Sequence, residues 1–141
     1  MSVLQTRSGA VRGTAFDGVR VWRGIPYAAP PVGQLRWAAP RREPRWGGVR
    51  DASEFGPRAP QQEPALMPAL EIAVPTDSHT PFSEDCLYLN VCAPEDEADN
   101  LPVQLWLHGG GFHYGSGAHL FGEGAGVARR GTVVVTVNYR L

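Results

Sequence analysis

Apolar residues along the chain fall into two kinds of run. Near the start they come as short stretches, residues 3–6, 11–16 and 19–22, separated by Ser8-Gly9 and Asp17-Gly18. An Asp-Gly pair supplies the positive φ angles that a tight hairpin needs, so this segment predicts a small antiparallel sheet. Residues 102–107 and 132–139 are instead almost continuously apolar. That pattern predicts strands covered on both faces in an α/β sheet. Between them, residues 125–130 predict a short helix, with Gly131 suited to its C-cap and Arg129 and Arg130 to the negative end of its dipole. Residues 48–52 read as another short strand. Residues 83–91 read as a half-buried strand, because Leu87, Leu89 and Val91 alternate onto one face.

The connections carry their own signals. Arg23-Gly24-Ile25-Pro26-Tyr27-Ala28-Ala29-Pro30-Pro31-Val32-Gly33-Gln34-Leu35-Arg36-Trp37 is too rich in Pro and Gly for helix or central strand. Its apolar and aromatic members argue for a loop packed onto the body, since disordered segments are poor in them. Residues 54–83 form a long Pro-punctuated connection, with one short helix expected around residues 64–72. Loops of that length in a compact domain are usually functional or disordered. Residues 95–100 make an acidic surface turn, and no repeat or low-complexity tract interrupts the order.

The 141 residues suffice for one domain with its own core, here residues 1–141. A hydrophobic content of 43% and a formal net charge of −1 describe an ordinary globular chain, with no electrostatic reason to bind nucleic acid or an acidic membrane. Adjacent arginines occur only at Arg41-Arg42 and Arg129-Arg130, which read as solvated surface charge. The first residues lack a basic segment followed by an apolar run, and nowhere does an apolar run approach a membrane span, so a cytoplasmic protein is expected. Cys86 and Cys92 lie in one extended segment. Six residues there span roughly 20 Å at strand rise. A disulfide needs Cα atoms within about 7 Å, so both are expected as free, buried thiols.

Chemistry concentrates at Leu105-Trp106-Leu107-His108-Gly109-Gly110-Gly111-Phe112, an apolar strand running into three consecutive glycines. Such a turn opens backbone conformations closed to residues with a Cβ and lets a ligand approach the amides. Two amides aimed at one developing alkoxide form an oxyanion hole, and His-Gly-Gly-Gly is an oxyanion sequence of lipases and esterases. The alternative reading of the stretch by itself is a turn that merely connects a strand to its return.

The neighbouring stretches decide between these. Arg23 through Trp37 resembles the N-terminal signature of the type-B carboxylesterases, and Ser83-Glu84-Asp85-Cys86-Leu87-Tyr88-Leu89-Asn90-Val91, continuing to Pro94, is similar to their second signature. With His108 to Phe112 following in order, the resemblance spans essentially the whole chain. It implies the N-terminal part of an α/β-hydrolase fold: a small antiparallel sheet plus the first strands of the central mixed sheet. It further implies a serine esterase with a Ser-His-acid triad, acting on small uncharged carboxylic esters without metal or organic cofactor, and leaves the oligomeric state open. By position, Gly110 and Gly111 match the oxyanion donors, Gly109 permits the turn, and Phe112 lines the acyl pocket. Arg36 and Glu84 match an ion pair of the family, and residues 54–83 match the rim above the active-site gorge.

The nucleophile is missing from the pattern. A Gly-x-Ser-x-Gly elbow occurs nowhere in the sequence. Gly115-Ser116-Gly117, flanked by His113 and His119, has the wrong spacing and matches a structural Gly-Ser of the family, while His108 reads as a turn residue behind the glycines rather than a general base. The expectation is therefore a chain truncated before the elbow, holding the oxyanion turn without the triad and inactive alone. Two departures narrow the group. Where many relatives carry a cysteine that pairs with the one matching Cys86, this chain has Ala59, which suits a reducing compartment. Residues 56–83 contain no Trp, whereas cholinesterases hold a quaternary ammonium there by cation–π attraction. Two alternatives remain: a non-catalytic, cholinesterase-like adhesion or binding protein, and a hormone-sensitive-lipase-type esterase, which shares the glycine turn but not the signatures at residues 24–37 and 84–94.

Overall fold

The computed structural model of the protein describes residues 2–62, 80–96, 99–119 and 121–141. The helix expected around residues 64–72 lies outside these. Strands β1 (Ser2–Gln5), β2 (Ala10–Phe16), β3 (Val19–Pro26), β4 (Val49–Asp51), β5 (Tyr88–Pro94), β6 (Val103–Leu107) and β7 (Val133–Val137) form one sheet of order β1-β2-β3-β5-β7-β6, with β4 alongside β2. The helix α1 (Phe121–Ala128) connects β6 to β7, which pair in parallel. All other neighbours are antiparallel apart from β2 and β4.

The small sheet at the start is continuous with the larger one. Ala10 to Arg12 of β2 lie between β1 and β4, and Thr14 to Phe16 pair with β3, which hands the sheet on to β5. Asp17 and Gly18, at φ of 50° and 74°, close the β2–β3 hairpin that Asp-Gly predicts. β3 runs four residues beyond the expected stretch, to Pro26, so Ile25 and Pro26 belong to strand rather than loop. A register shift between Trp22 and Ile25 makes this possible. At the shift the Gly24 amide, which has no ladder partner, donates to Asn90 Oδ1 at 2.9 Å.

β5 is more deeply covered than half-buried. Cys92 packs with Val19, Val21, Val134 and the helix residues Ala125 and Ala128 on one face. Leu89, Val91 and Ala93 pack with Val11, Trp22 and Ile25 on the other. The strand lies inside the sheet, so its polar positions face the interior too. Asn90 meets that demand by bonding Gly24 on β3 and Thr136 Oγ1 on β7, the latter at 3.0 Å.

α1 starts four residues before the expected residue 125, through Gly122 and Gly124. Contact with β5 and β7 outweighs the poor helix propensity of glycine, because burying Ala125 and Ala128 is possible only if the helix lies close to the sheet. Gly131 follows at φ 88°, its amide donating to Ala128.

β6 departs from expectation. Instead of being covered on both faces it lies at the sheet edge, with Val103, Leu105 and Leu107 each at least 60% exposed. α1 reaches over β5 and β7, and among the described residues nothing covers β6. Cys86 and Cys92 are free and buried in separate clusters, Cys86 beside Ala59. The long connection leaves and returns at one place: Arg58 and Phe82 form a parallel bridge, and the buried Arg58 donates through Nε to Thr80 O. No described helix is long and apolar enough to cross a membrane.

Candidate active site: the glycine turn after β6

β6 and β7 end side by side, Leu107 opposite Val137, so the segments that follow them meet. After β6 come His108 and the three glycines; after β7 come Asn138 and Tyr139. The Tyr139 ring stacks on the His108 imidazole at 4.2 Å and 9°, and its hydroxyl donates to His108 O at 2.6 Å. His108 Nδ1 lies 2.9 Å from Gly109 O. A carbonyl oxygen only accepts, so Nδ1 carries the proton. Burial holds the imidazole below its ordinary pKa and therefore neutral, leaving Nε2 unprotonated.

The steric demand of the turn falls on Gly110 rather than on Gly109. Gly109 has an ordinary φ, and a Cβ there would meet nothing. Gly110 sits at φ 116°, and a Cβ on it would lie 1.9 Å from Tyr114 O. Gly111 and Phe112 continue at φ 60° and 64°. His113 and Tyr114 amides donate back to Gly110 O at 3.0 and 3.4 Å, which closes the turn. Among the described residues, the Gly110 and Gly111 amides donate to no partner.

Gly109 and Gly111, on either side of Gly110, border an apolar hollow of about 550 Å³, walled by Tyr27, Leu107, Phe112, Val137 and Tyr139. Its size is that of a small-molecule site. Phe112 is 78% exposed, meets Tyr139 edge-on at 6.3 Å and walls this open hollow. Tyr27 is tied in place by its hydroxyl, which donates to Asn138 O at 2.7 Å, and burial raises its pKa to about 12.

Ser116 is 1% exposed, and its Oγ accepts from the Ala118 amide at 3.0 Å. That is a turn-stabilising serine, outside the walls of the hollow. Arg36 and Glu84 do pair, through Nε and Oε1, with side chains 59% and 41% exposed. A pair that open to solvent contributes only about 0–1 kcal/mol. Among the described residues no group of three or more His, Cys, Asp or Glu is placed to hold a metal.

Three side chains at this site went unmarked in the sequence. Gln61 donates to Gly115 O at 2.9 Å and accepts from the Gly115 amide at 2.7 Å. Asn138 accepts from the Gly117 amide at 2.7 Å and donates to Pro57 O at 3.0 Å. Tyr139 is the third. A polar pair directly after a buried apolar strand was a usable signal for Asn138 and Tyr139; Gln61, in a Pro- and Gln-rich stretch, offers none.

A parallel strand pair joined through a glycine turn and a helix, on a mixed sheet fed by an antiparallel hairpin, defines the chain as part of an α/β-hydrolase fold. The Carboxylesterase family model matches residues 1–141, and the chain belongs to that family. It is 44% identical to the para-nitrobenzyl esterase of Bacillus subtilis (strain 168) over 143 residues, covering 99% of this chain and 27% of that protein. It is 45% identical to the phenmedipham hydrolase of Pseudarthrobacter oxydans, covering 99% and 28%. A solved PNB esterase structure superimposes with a TM-score of 0.86 at 43% identity, covering 99% of this chain and 28% of that one. A Geobacillus stearothermophilus carboxylesterase does so with a TM-score of 0.83 at 42% identity, covering 100% and 26%. The chain thus spans about a quarter of the length of these relatives.

Proposed function

We propose that this chain supplies the oxyanion-stabilising part of a serine carboxylic ester hydrolase, with Gly110 and Gly111 as donors to the tetrahedral alkoxide and Phe112 as a wall of the acyl site. The reading rests on one observation above all: among the described residues the adjacent Gly110 and Gly111 amides have no protein partner, and Gly111 borders an apolar hollow of small-molecule size. Their surroundings carry no opposing carboxylate among the residues that wall the hollow, which suits a developing negative charge. The relatives are a para-nitrobenzyl esterase and a phenmedipham hydrolase, and small uncharged carboxylic esters are the class proposed here. The Ser-His-acid triad belongs to sequence with a Gly-x-Ser-x-Gly elbow, which these 141 residues do not contain, so the chain alone is expected to turn over no ester. Buried free Cys86 and Cys92 suit the cytoplasm as its compartment.

The test is a chimera in which residues 1–141 replace the matching segment of a para-nitrobenzyl esterase. Hydrolysis of p-nitrophenyl acetate is expected. Gly110→Ala, which pushes the turn off Tyr114 O, is expected to lower kcat by about 10²–10³ with little change in KM, as loss of one oxyanion donor does. Gly109→Ala is expected to leave both near the parent values. A folded chimera without turnover would overturn the ester reading and favour a binding role.

A further inference from the structure

The proposed donors are backbone amides, and an amide has no rotamer of its own to lock. Its direction is set by the carbonyl across the same peptide plane, which in a trans peptide points the opposite way. Among the described residues no peptide bond is cis. Whatever grips Gly109 O therefore aims the Gly110 N–H, and whatever grips Gly110 O aims the Gly111 N–H.

Gly110 O is gripped by the turn itself, through the His113 and Tyr114 amides. Gly109 O is gripped by a side chain, His108 Nδ1 at 2.9 Å. The imidazole can do this only if its ring plane is held, and two contacts hold it. Tyr139 stacks on it at 4.2 Å. Gly115 also presses on the ring, so closely that a Cβ there would lie 2.2 Å from Nδ1. Gly115 is in turn held by two hydrogen bonds of the Gln61 carboxamide. Two further contacts close the assembly: Tyr139 OH binds the carbonyl of His108 itself, and Asn138 holds Gly117 just beyond Gly115.

We infer that His108 is a positioning residue which aims the Gly110 amide by donating Nδ1–H to Gly109 O, and that Tyr139, and Gln61 through Gly115, clamp its ring. The inference builds on the proposed oxyanion role of Gly110. The chain has four histidines, and this arrangement gives His108 a duty that needs one tautomer and no proton transfer. It also gives Gln61, at the edge of the long connection, a direct line to the turn: what shifts residue 61 moves Gly115, then the imidazole, then the amide.

Solution NMR of the protein with ¹⁵N-labelled His and Gly tests this. In the unsubstituted chain at neutral pH, the His108 Nδ1 resonance is expected to be that of an N–H and Nε2 that of a bare nitrogen; the opposite tautomer overturns the inference without any variant. His108→Ala is expected to displace and broaden the Gly110 amide signal. His108→Asn, whose Nδ2–H can stand where Nδ1–H stood, is expected to restore it, and His108→Gln is not. Gln61→Ala is expected to speed Gly115 amide exchange about tenfold, the loss of one net hydrogen bond, and to move the His108 ring signals. A Gly110 signal unmoved by His108→Ala, with the Trp22 indole signal showing an intact fold, overturns the inference. These readouts need no turnover. The reversed tautomer in a chain whose chimera hydrolyses ester removes the clamp alone, and the stated tautomer with an inactive chimera removes the ester reading alone.

Discussion

At the scale of single residues, the steric work of the turn after β6 is divided among the three glycines in a way that spacing does not reveal. Gly109 occupies open space with an ordinary φ, whereas Gly110 combines φ 116° with a Tyr114 carbonyl where its Cβ would go. Ala at position 110 must adopt a conformation that costs about 1–3 kcal/mol and displace a backbone oxygen as well. Gly110→Ala is therefore expected to lower unfolding stability by several kcal/mol in urea titration. Gly109→Ala is expected to change it by less than about 1 kcal/mol, because an exposed site with a compatible φ strains nothing. The Arg36 and Glu84 pair was legible from resemblance, and only exposure shows that it contributes little: both side chains remain in water, where attraction is screened. Gln61 was illegible. Its partners are the two ends of one peptide residue, Gly115, 54 positions away, and no periodicity encodes that.

At the scale of elements, alternation located nearly every described strand and misjudged how deeply two of them lie. Residues 83–91 read as half-buried because one face is apolar, yet β5 lies between β3 and β7 and its polar Asn90 is buried. A buried carboxamide with both hydrogen bonds met looks, in sequence, like a solvent-facing position. β6 shows the converse. Its apolar run was read as covered, but it is the edge strand, with β7 on one side. An exposed edge with Val103, Leu105 and Leu107 uncovered is a template for pairing with another chain. The protein is expected to self-associate in a concentration-dependent way. Leu105→Lys should shift sedimentation toward monomer without changing the far-UV circular dichroism, because a 60% exposed side chain supports no core. A monomer at all concentrations in the unsubstituted protein would refute this.

At the scale of the whole molecule, burial of titratable groups defines a pH window for stability. The His108 imidazole sits below its ordinary 6.5 because burial disfavours its charge. Below pH 6.5 the unfolded chain takes up this proton first, so stability is lost as pH falls. Burial raises the Cys86 thiol from 9.0 to about 11, and the Tyr27 and Tyr88 phenols from 10.0 to about 12. Above pH 9 the unfolded chain loses these protons first, so stability also falls as pH rises toward 12. A plateau in the thermal midpoint is expected between about pH 6.5 and 9, with the acid shoulder diminished in His108→Asn. Such a window comes from packing, and composition alone says nothing of it. What the sequence by itself determined was the family, the order of strands, the hairpin at Asp17-Gly18 and the place of the glycine turn. These rest on local backbone preferences, side-chain alternation and short ordered motifs, all of which are written within a few residues. Only the tertiary structure decided which described strand is the edge, which glycine bears the steric load, and that the His108 imidazole packs against Tyr139 and Gly115. Each of those depends on residues tens of positions apart meeting at the ends of β6 and β7, where a carbonyl gripped on one side of a peptide sets the direction of the amide on the other.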